Sequence, residues 1–307
     1  MQTALFIEQL LNGLQLGVML FLMAAGLTLI FGVMGLINLA HGSLYMVGAF
    51  ACAAVAAATG SFWLGLIASL AAAAAAGALV EIFVVRRLYE RDHLDQVLAT
   101  FALILIFSEG TRWLFGSFPL YLDIPPLLQG TVPLPGGSRY QLYRLAIIGV
   151  GIAVAIGLLL LIGRTRLGMR IRAGESDREM IGALGVDIRT LYTIVFALGA
   201  ALAGLAGAMV GALQSVQVGM GEPVLILAFV VIVIGGIGSI RGAMVGALLV
   251  GVVDTMGRFL LPQVFGAFMS ASQAGIVGGA LASMLIYIVM AVVLALRPQG
   301  LFPAARG

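Results

Sequence analysis

Long apolar runs dominate this sequence, and most of them approach the roughly 20 residues with which an α-helix crosses a lipid bilayer. Apolar residues make up 62% of the 307 residues and charged residues only 9%, far from the proportions of a water-soluble domain. Each membrane-spanning segment must satisfy its own backbone hydrogen bonds, which a helix does. We therefore predict an all-α, polytopic membrane protein that folds as one domain over residues 1–307.

Glycines, prolines and charged residues divide the apolar runs into separate spans. The count is eight or nine, because three of the spans are short or cut by glycine. The predicted spans are residues 9–32, 44–58, 62–85, 96–115, 145–163, 191–214, 224–240, 243–257 and 274–296.

Arginines collect in the segments between particular spans, and this distribution predicts orientation. Segment 86–95 contains three arginines, segment 164–190 contains six, and Arg297 and Arg306 follow the last span. The span count places these three segments on one side of the membrane, which the positive-inside rule makes the cytoplasm. We then expect the N-terminus outside and the C-terminus in the cytoplasm.

Two apolar stretches, residues 26–50 and 229–251, are interrupted near their middle by glycines and polar residues. Broken backbone at membrane depth persists only where protein covers it or where it lines a polar path, so two breaks in one chain point to a translocation route. Apolar walls suit an aliphatic zwitterion, and the N-termini of the helices that follow the breaks favour a carboxylate. The predicted route residues are Asn38, His41, Gly42, Ser43, Gly235, Gly236, Gly238, Ser239, Arg241 and Gly242.

Polar residues inside the spans are few, and their spacing predicts partners. Glu109 and Arg112 are three residues apart and Asp254 and Arg258 four apart, so each pair shares a helix face. Pairing compensates the roughly 2.5–3.5 kcal/mol that a charge costs on insertion. For His41 we expect a hydrogen bond to the broken backbone rather than a pH-sensing role.

Glycines spaced four apart let helix backbones approach closely. We expect such pairs to pack within the molecule rather than to form an oligomer. The pairs are Gly13/Gly17, Gly207/Gly211, Gly242/Gly246 and Gly275/Gly279.

The arginine-rich segment 164–190 contains a pattern typical of a short helix. Ser176 and Glu179 fit a capping box, and Gly185 is placed to end the helix in a left-handed cap. The predicted helix covers about residues 177–184, too short to span and too short to be stable without packing. One interpretation is a helix that docks into a soluble partner and transmits its motion; the other is a solvated connector whose arginines set the topology.

Several functions are excluded. All 16 basic residues are arginine, and a chain without lysine lacks the residue with which a P-loop holds nucleotide phosphates. Two histidines and a single cysteine, Cys52, offer no zinc-site pattern and no internal disulfide. The arginines lie beside spans rather than on a soluble face, which disfavours nucleic-acid binding. We expect no catalytic site, metal or cofactor in this chain, and we expect Cys52 to be a packing residue.

Four segments in order, residues 26–50, 165–209, 231–251 and 296–302, resemble the permeases of branched-chain amino acid ABC importers, most closely the H-type subunit. The resemblance implies a subunit of a bacterial inner-membrane importer that works by alternating access. It also implies a related second permease, two cytoplasmic ATPases that hydrolyse the ATP, and a periplasmic binding protein that delivers the substrate.

The resemblance further implies that the helix in segment 164–190 is the coupling helix that enters an ATPase cleft. Its pattern differs from the general EAA consensus of other importers. The implied coupling residues are Arg172, Ala173, Ser176, Asp177, Glu179, Ala183, Leu184 and Gly185.

Two alternatives remain. Related permeases for urea, short amides or other amino acids carry similar motifs, so the resemblance leaves the substrate open. A stand-alone secondary transporter or channel is a candidate from another class. It requires an ion-coupling site, and Glu109 and Asp254 are the intramembrane carboxylates that the sequence offers for one.

Overall fold

The computed structural model of the protein describes residues 2–302, apart from residues 90 and 136, and this part of the chain is almost entirely helical. Two short strands, β1 (Thr131–Pro133) and β2 (Arg139–Gln141), form an antiparallel hairpin. The helices are α1 (Gln2–Met34), α2 (His41–Thr59), α3 (Phe62–Phe83), α4 (His93–Phe115), α5 (Leu142–Arg164), α6 (Arg166–Ser176), α7 (Arg178–Ala183), α8 (Ile188–Gly211), α9 (Gly221–Gly235), α10 (Ile240–Phe265) and α11 (Ala271–Leu296). The predicted all-α class is confirmed.

Among the described residues, 8 helices are long and apolar enough to cross a membrane. The apolar helix α9 has only 15 residues, about 22 Å of helix, and is too short for a full crossing. The prediction of eight or nine spans is therefore confirmed: eight of the described helices can cross, and α9 is a shorter apolar helix. Helix α10 continues to Phe265, beyond the predicted end at residue 257. Pro262 lies inside this helix, near its C-terminal end, and does not terminate it.

The centre of the bundle is formed by α1 and α8, whose most apolar stretches are 83% and 72% buried, whereas α11 is only 11% buried in this way. Small residues allow the close packing. A Cβ added at Gly13 of α1 would lie 2.9 Å from the backbone of Val252 in α10, and one at Gly17 would lie 2.9 Å from that of Leu248. These pairings show that α1 and α10 run antiparallel.

The four predicted glycine pairs differ in outcome. Gly13/Gly17 pack on α10, Gly207/Gly211 pack on Tyr45 and Val216, and Gly242/Gly246 pack on α9. The prediction is wrong for Gly275/Gly279, since a Cβ at either position would meet no described atom within 4 Å. The intervening Gly278 is the α11 glycine that faces the bundle, against Pro262.

Both predicted ion pairs are confirmed. Arg112 pairs with Glu109, and both side chains are largely exposed. Arg258 lies 3.0 Å from Asp254, whose carboxylate accepts hydrogen bonds from two guanidinium nitrogens. Cys52 is fully buried against Gly65, as expected of a packing residue.

Contacts gather the arginine-bearing segments at one end of the bundle, which we call the arginine-rich end. A Cβ added at Gly32, near the end of α1, would lie 3.6 Å from both Glu175 of α6 and Gly238. Arg86, which follows α3, donates to Thr193 in the first turns of α8 over 2.9 Å. The segments after α3 and α5 therefore share one end of the bundle, as the span count predicts.

Candidate functional site

The first break separates α1 from α2 and returns the chain into the bundle. Helix α1 ends at Met34, and Gly35 follows with φ +66°, a left-handed conformation that favours glycine. The His41 ring at the start of α2 then lies against Gly26, eight residues and about 12 Å before the end of α1. Helix α2 therefore begins inside the bundle rather than at its surface.

Asn38 shapes this break through its own side chain. Its Oδ1 accepts a hydrogen bond from the Ala40 amide over 3.0 Å, a local turn that Asn favours. The side chain is fully buried, and its Nδ2 has no hydrogen-bond partner among the described residues. Ser43, in the first turn of α2, is also buried.

The expected hydrogen bond from His41 to the broken backbone is not found among the described residues. The ring is fully buried, and neither Nδ1 nor Nε2 has a partner among the described residues. The backbone of Met23 lies beside the ring, but the two do not reach hydrogen-bond geometry. An unpaired polar group in the interior is costly, and such groups often belong to functional sites.

The start of α9 meets the start of α2 at this place. A Cβ added at Gly42 would lie 2.8 Å from the Gly221 carbonyl oxygen, and one added at Gly221 would overlap the Gly42 carbonyl. Ahead of α9, the Gly219 amide lies 3.3 Å from the Met46 sulfur of α2. The N-termini of α2 and α9 are therefore in contact inside the bundle.

The second break has a different geometry from the one expected. Gly235 packs on Gly242, and a Cβ added at Gly246 would lie 2.6 Å from the Val231 carbonyl, so α9 and α10 run antiparallel. The stretch 229–251 is thus a tight helical hairpin, not one helix interrupted near its middle. Apolar periodicity does not distinguish the two, because both place glycines between apolar runs.

Three of the predicted route residues build this hairpin turn. Gly236 and Gly238 adopt φ +106° and +84°, which only glycine tolerates without strain. The Ser239 hydroxyl accepts from the Gly242 amide over 3.0 Å and caps α10. Arg241 is exposed beside the turn.

The C-terminal segment 297–302 covers the turn. Leu301 donates to the Ile234 carbonyl and Phe302 to the Gly235 carbonyl, both over 2.9 Å. These bonds satisfy carbonyls that the end of α9 leaves without helical partners. The turn therefore lies at the arginine-rich end, whereas Asn38–Ser43 lie deeper, and α9 connects the two levels.

Segment 164–190 contains two helices rather than one. Helix α6, which the sequence analysis missed, is capped by Thr165, whose hydroxyl accepts from the Gly168 amide over 3.0 Å. The predicted capping box is wrong: Ser176 is the last residue of α6, and Asp177 caps α7 by accepting from Glu179 and Met180 over 3.0 and 2.9 Å. Ser176 is part of α6, so the next residue, Asp177, is the one that caps the free backbone amides at the start of α7.

The predicted end of the helix is confirmed. Gly185 has φ +85°, and Val186 donates to the Ile181 carbonyl over 3.3 Å, the pattern of a left-handed helix cap. The next helix, α8, is capped by Asp187, whose pKa is lowered by hydrogen bonds from Thr190 and Arg189.

The predicted coupling residues form one exposed surface, which we call the coupling surface. Two apolar side chains stand out there, Met180 and Leu184, with exposed fractions of 59% and 76%. Ile181 between them is buried and anchors α7. The residues predicted for coupling, all of them exposed, are Arg172, Ala173, Ser176, Asp177, Glu179, Ala183, Leu184 and Gly185.

Segment 164–190 and the second break lie close to the same glycine of α1. Glu175 of α6 and Gly238 of the hairpin turn flank Gly32 of α1. Partial burial raises the pKa of the Glu175 carboxyl.

A buried carboxylate that the sequence analysis missed lies at the same end. Glu81 of α3 is fully buried and accepts from Arg86 over 2.9 Å, from Tyr89 over 2.7 Å and from Thr193 of α8 over 2.6 Å. The signal was a single acidic residue in an apolar run, five residues before an arginine. This network joins α3 to the first turns of α8, next to segment 164–190.

Comparisons with known proteins extend over the whole bundle. The family model for the permease component of branched-chain amino acid transport systems matches residues 9–294. The high-affinity branched-chain amino acid transport system permease protein BraD of Pseudomonas aeruginosa is 33% identical over 266 residues, 82% of this chain and 86% of the relative. The high-affinity branched-chain amino acid transport system permease protein LivH of Escherichia coli is 28% identical over 310 residues, 96% of each chain.

A more distant relative comes from an archaeon. The probable branched-chain amino acid transport permease protein LivH of Methanocaldococcus jannaschii is 26% identical over 259 residues, 81% of this chain and 80% of the relative. No solved structure matches the chain.

Proposed function

This chain belongs to the family of permease components of branched-chain amino acid transport systems, and on that premise we propose that it is the membrane subunit of an ATP-driven importer for those amino acids. The observation that carries the proposal is the match over residues 9–294, supported by relatives named as high-affinity permeases. The cargo is a leucine-like zwitterion that passes between apolar helices.

Energy comes from other chains. This chain has no lysine with which to build a P-loop, so two cytoplasmic ATPase subunits hydrolyse the ATP. A related second permease completes the membrane part, and a periplasmic protein selects and delivers the amino acid. The exposed coupling surface, with Met180 and Leu184 at its centre, is what an ATPase cleft contacts.

The orientation follows from the arginines. The arginine-rich end faces the cytoplasm of a bacterial cell, the N-terminus lies outside, and the protein resides in the inner membrane. Cysteine residues introduced at Leu127 and Leu184, both 76% exposed at opposite ends, test this. In intact spheroplasts, a membrane-impermeant maleimide should label position 127 and not position 184; the reverse pattern would invert the topology.

The contacts suggest how ATPase motion reaches the route. The ATPases move α6 and α7; Glu175 passes the displacement to Gly32 and Gly238; and α9 carries it to the contact between Gly42 and Gly221. Separation of α2 from α9 opens the deep level of the route, and the hairpin turn controls the cytoplasmic level. Coupling of this kind requires an element with two discrete arrangements, which α9 with its glycine ends supplies.

Replacement of Gly235 and Gly236 with leucine tests the gate. A side chain at Gly235 overlaps Gly242, and one at Gly236 lies 2.6 Å from the Phe302 carbonyl, so the hairpin is forced open or locked. We expect uptake to be lost while ATP hydrolysis persists, which is uncoupling. Uptake at the wild-type rate would contradict the gate.

Purification distinguishes the importer from a secondary transporter. A stable complex with two ATPase subunits and uptake that requires ATP support the proposal. Uptake by this chain alone, driven by an ion gradient in liposomes, would support the secondary transporter. Binding of leucine, isoleucine, valine, urea and short amides to the delivery protein identifies the cargo.

A further inference from the structure

Buried polar side-chain atoms without a hydrogen-bond partner are concentrated where α2 begins. Asn38 Nδ2 and both ring nitrogens of His41 are fully buried and have no partner among the described residues. Each such group in the interior costs free energy unless another state of the protein satisfies it. Two orphan side chains three residues apart therefore point to a ligand that binds between them.

The Asn38 carboxamide is held over the N-terminus of α2. Its Oδ1 accepts from the Ala40 amide, and Ala40 is the residue that precedes the helix. This bond fixes the orientation of the group and leaves the two N–H donors of Nδ2 free at the positive end of the helix.

Backbone donors lie at the same place. Ser43 and Leu44 donate to the Ala40 carbonyl, but the amides of Gly42 and of Gly221 make no hydrogen bond with a described residue. The backbones of Gly42 and Gly221 are in contact through their carbonyl groups, so the first turns of α2 and α9 meet at this point. The positive ends of two helix dipoles thus meet at this point. Glu222, the acidic residue in the first turn of α9, is exposed, and its carboxylate lies 3.9 Å from a Cβ added at Gly219.

From these groups we infer that the junction of α2 and α9 binds the α-carboxylate of the amino acid during its passage; this rests on the proposed function. An anion is the ligand that uncharged donors and two helix N-termini favour. The aliphatic side chain lies beside Leu225, whose Cβ would be 3.3 Å from a Cβ on Gly42. Because the junction is buried, the carboxylate reaches it when α2 and α9 separate.

The substitution Asn38→Asp tests the carboxylate site in the full complex reconstituted in proteoliposomes. Aspartate keeps the Oδ1 acceptor for the Ala40 amide and replaces the free Nδ2 donor with a negative charge, which repels a carboxylate. ATP-driven leucine uptake should fall at least about tenfold, the loss of one charge-assisted hydrogen bond. The matched control is Thr28→Val, which removes another buried unpaired oxygen from α1 and should leave uptake unchanged.

A second measurement does not depend on the stability of a variant. A diazirine analogue of leucine is added to the wild-type complex during turnover, irradiated, and its attachment sites are mapped by mass spectrometry. Labelling at residues 38–44 and 221–225 supports the inference. Labelling confined to other helices, or uptake by Asn38→Asp equal to that of wild type, overturns it. Failure of the wild-type complex to carry leucine at all would instead reject the proposed function.

Discussion

Gly42 and Gly221 are in backbone contact inside the bundle, and this contact joins the N-termini of α2 and α9. Neither position has room for a Cβ unless the two helices move apart. In the proposed mechanism, this contact closes the route, and separation of α2 from α9 opens it.

Gly221→Ala should hold α2 and α9 apart. The added methyl overlaps the Gly42 carbonyl, and overpacking of this kind costs about 1–3 kcal/mol. We expect amino acid uptake per ATP hydrolysed to fall about tenfold or more, because the closed arrangement is destabilised. Gly149→Ala is the control, since a Cβ there meets nothing within 4 Å. Equal uptake per ATP in both variants would show that the contact has no role in transport.

Asp177 caps the N-terminus of α7, and its neighbour Ser176 does not. Asp177→Ala removes the acceptor for the amides of Glu179 and Met180, whereas Ser176→Ala removes no hydrogen bond to these amides. Hydrogen exchange of amides 179–183 should accelerate about fivefold in the first variant and remain at the wild-type rate in the second. The opposite ranking would restore the capping box that the sequence suggests.

Leu184 should contribute to assembly with the ATPases. Leu184→Ser removes an apolar side chain that is 76% exposed on the coupling surface, and Leu127→Ser removes one that is 76% exposed at the opposite end. We expect the affinity for the ATPase subunits to fall about tenfold in the first variant only. Titration of the purified ATPase onto the permease complex measures this; equal affinities would remove Leu184 from the interface.

Glu81 should stabilise the arginine-rich end. Glu81→Gln removes the negative charge of a side chain that accepts hydrogen bonds from three other side chains. We expect the free energy of unfolding to fall by about 2 kcal/mol. Glu109→Gln is the control, because that side chain is 66% exposed and its ion pair is worth little. Thermal unfolding of the two variants in the same detergent makes the comparison; equal midpoints would contradict the role of the network.

The helices themselves were predictable, because hydropathy and helix-ending residues act locally. The ion pair of Asp254 and Arg258 was predictable for the same reason, since a spacing of four places both on one helix face. The end of α7 at Gly185 likewise depends on one residue and its immediate neighbours.

What the sequence did not show depends on contacts between distant segments. The hairpin at Gly235–Gly242 and a mid-helix break have the same apolar pattern, and the pairing of Gly246 with Val231 distinguishes them. The unpaired state of His41 depends on the position of α1 beside it. The Glu81 network required the approach of Thr193 from a helix more than a hundred residues later.

Leucine uptake into proteoliposomes that contain this permease with its partner subunits and the delivery protein tests the proposed importer most directly. We expect uptake only when ATP is present on the side of the membrane that the arginine-rich end faces, and we expect it to continue when all ion gradients are dissipated. Uptake that persists without ATP and stops when the ion gradient is removed would contradict the proposed importer.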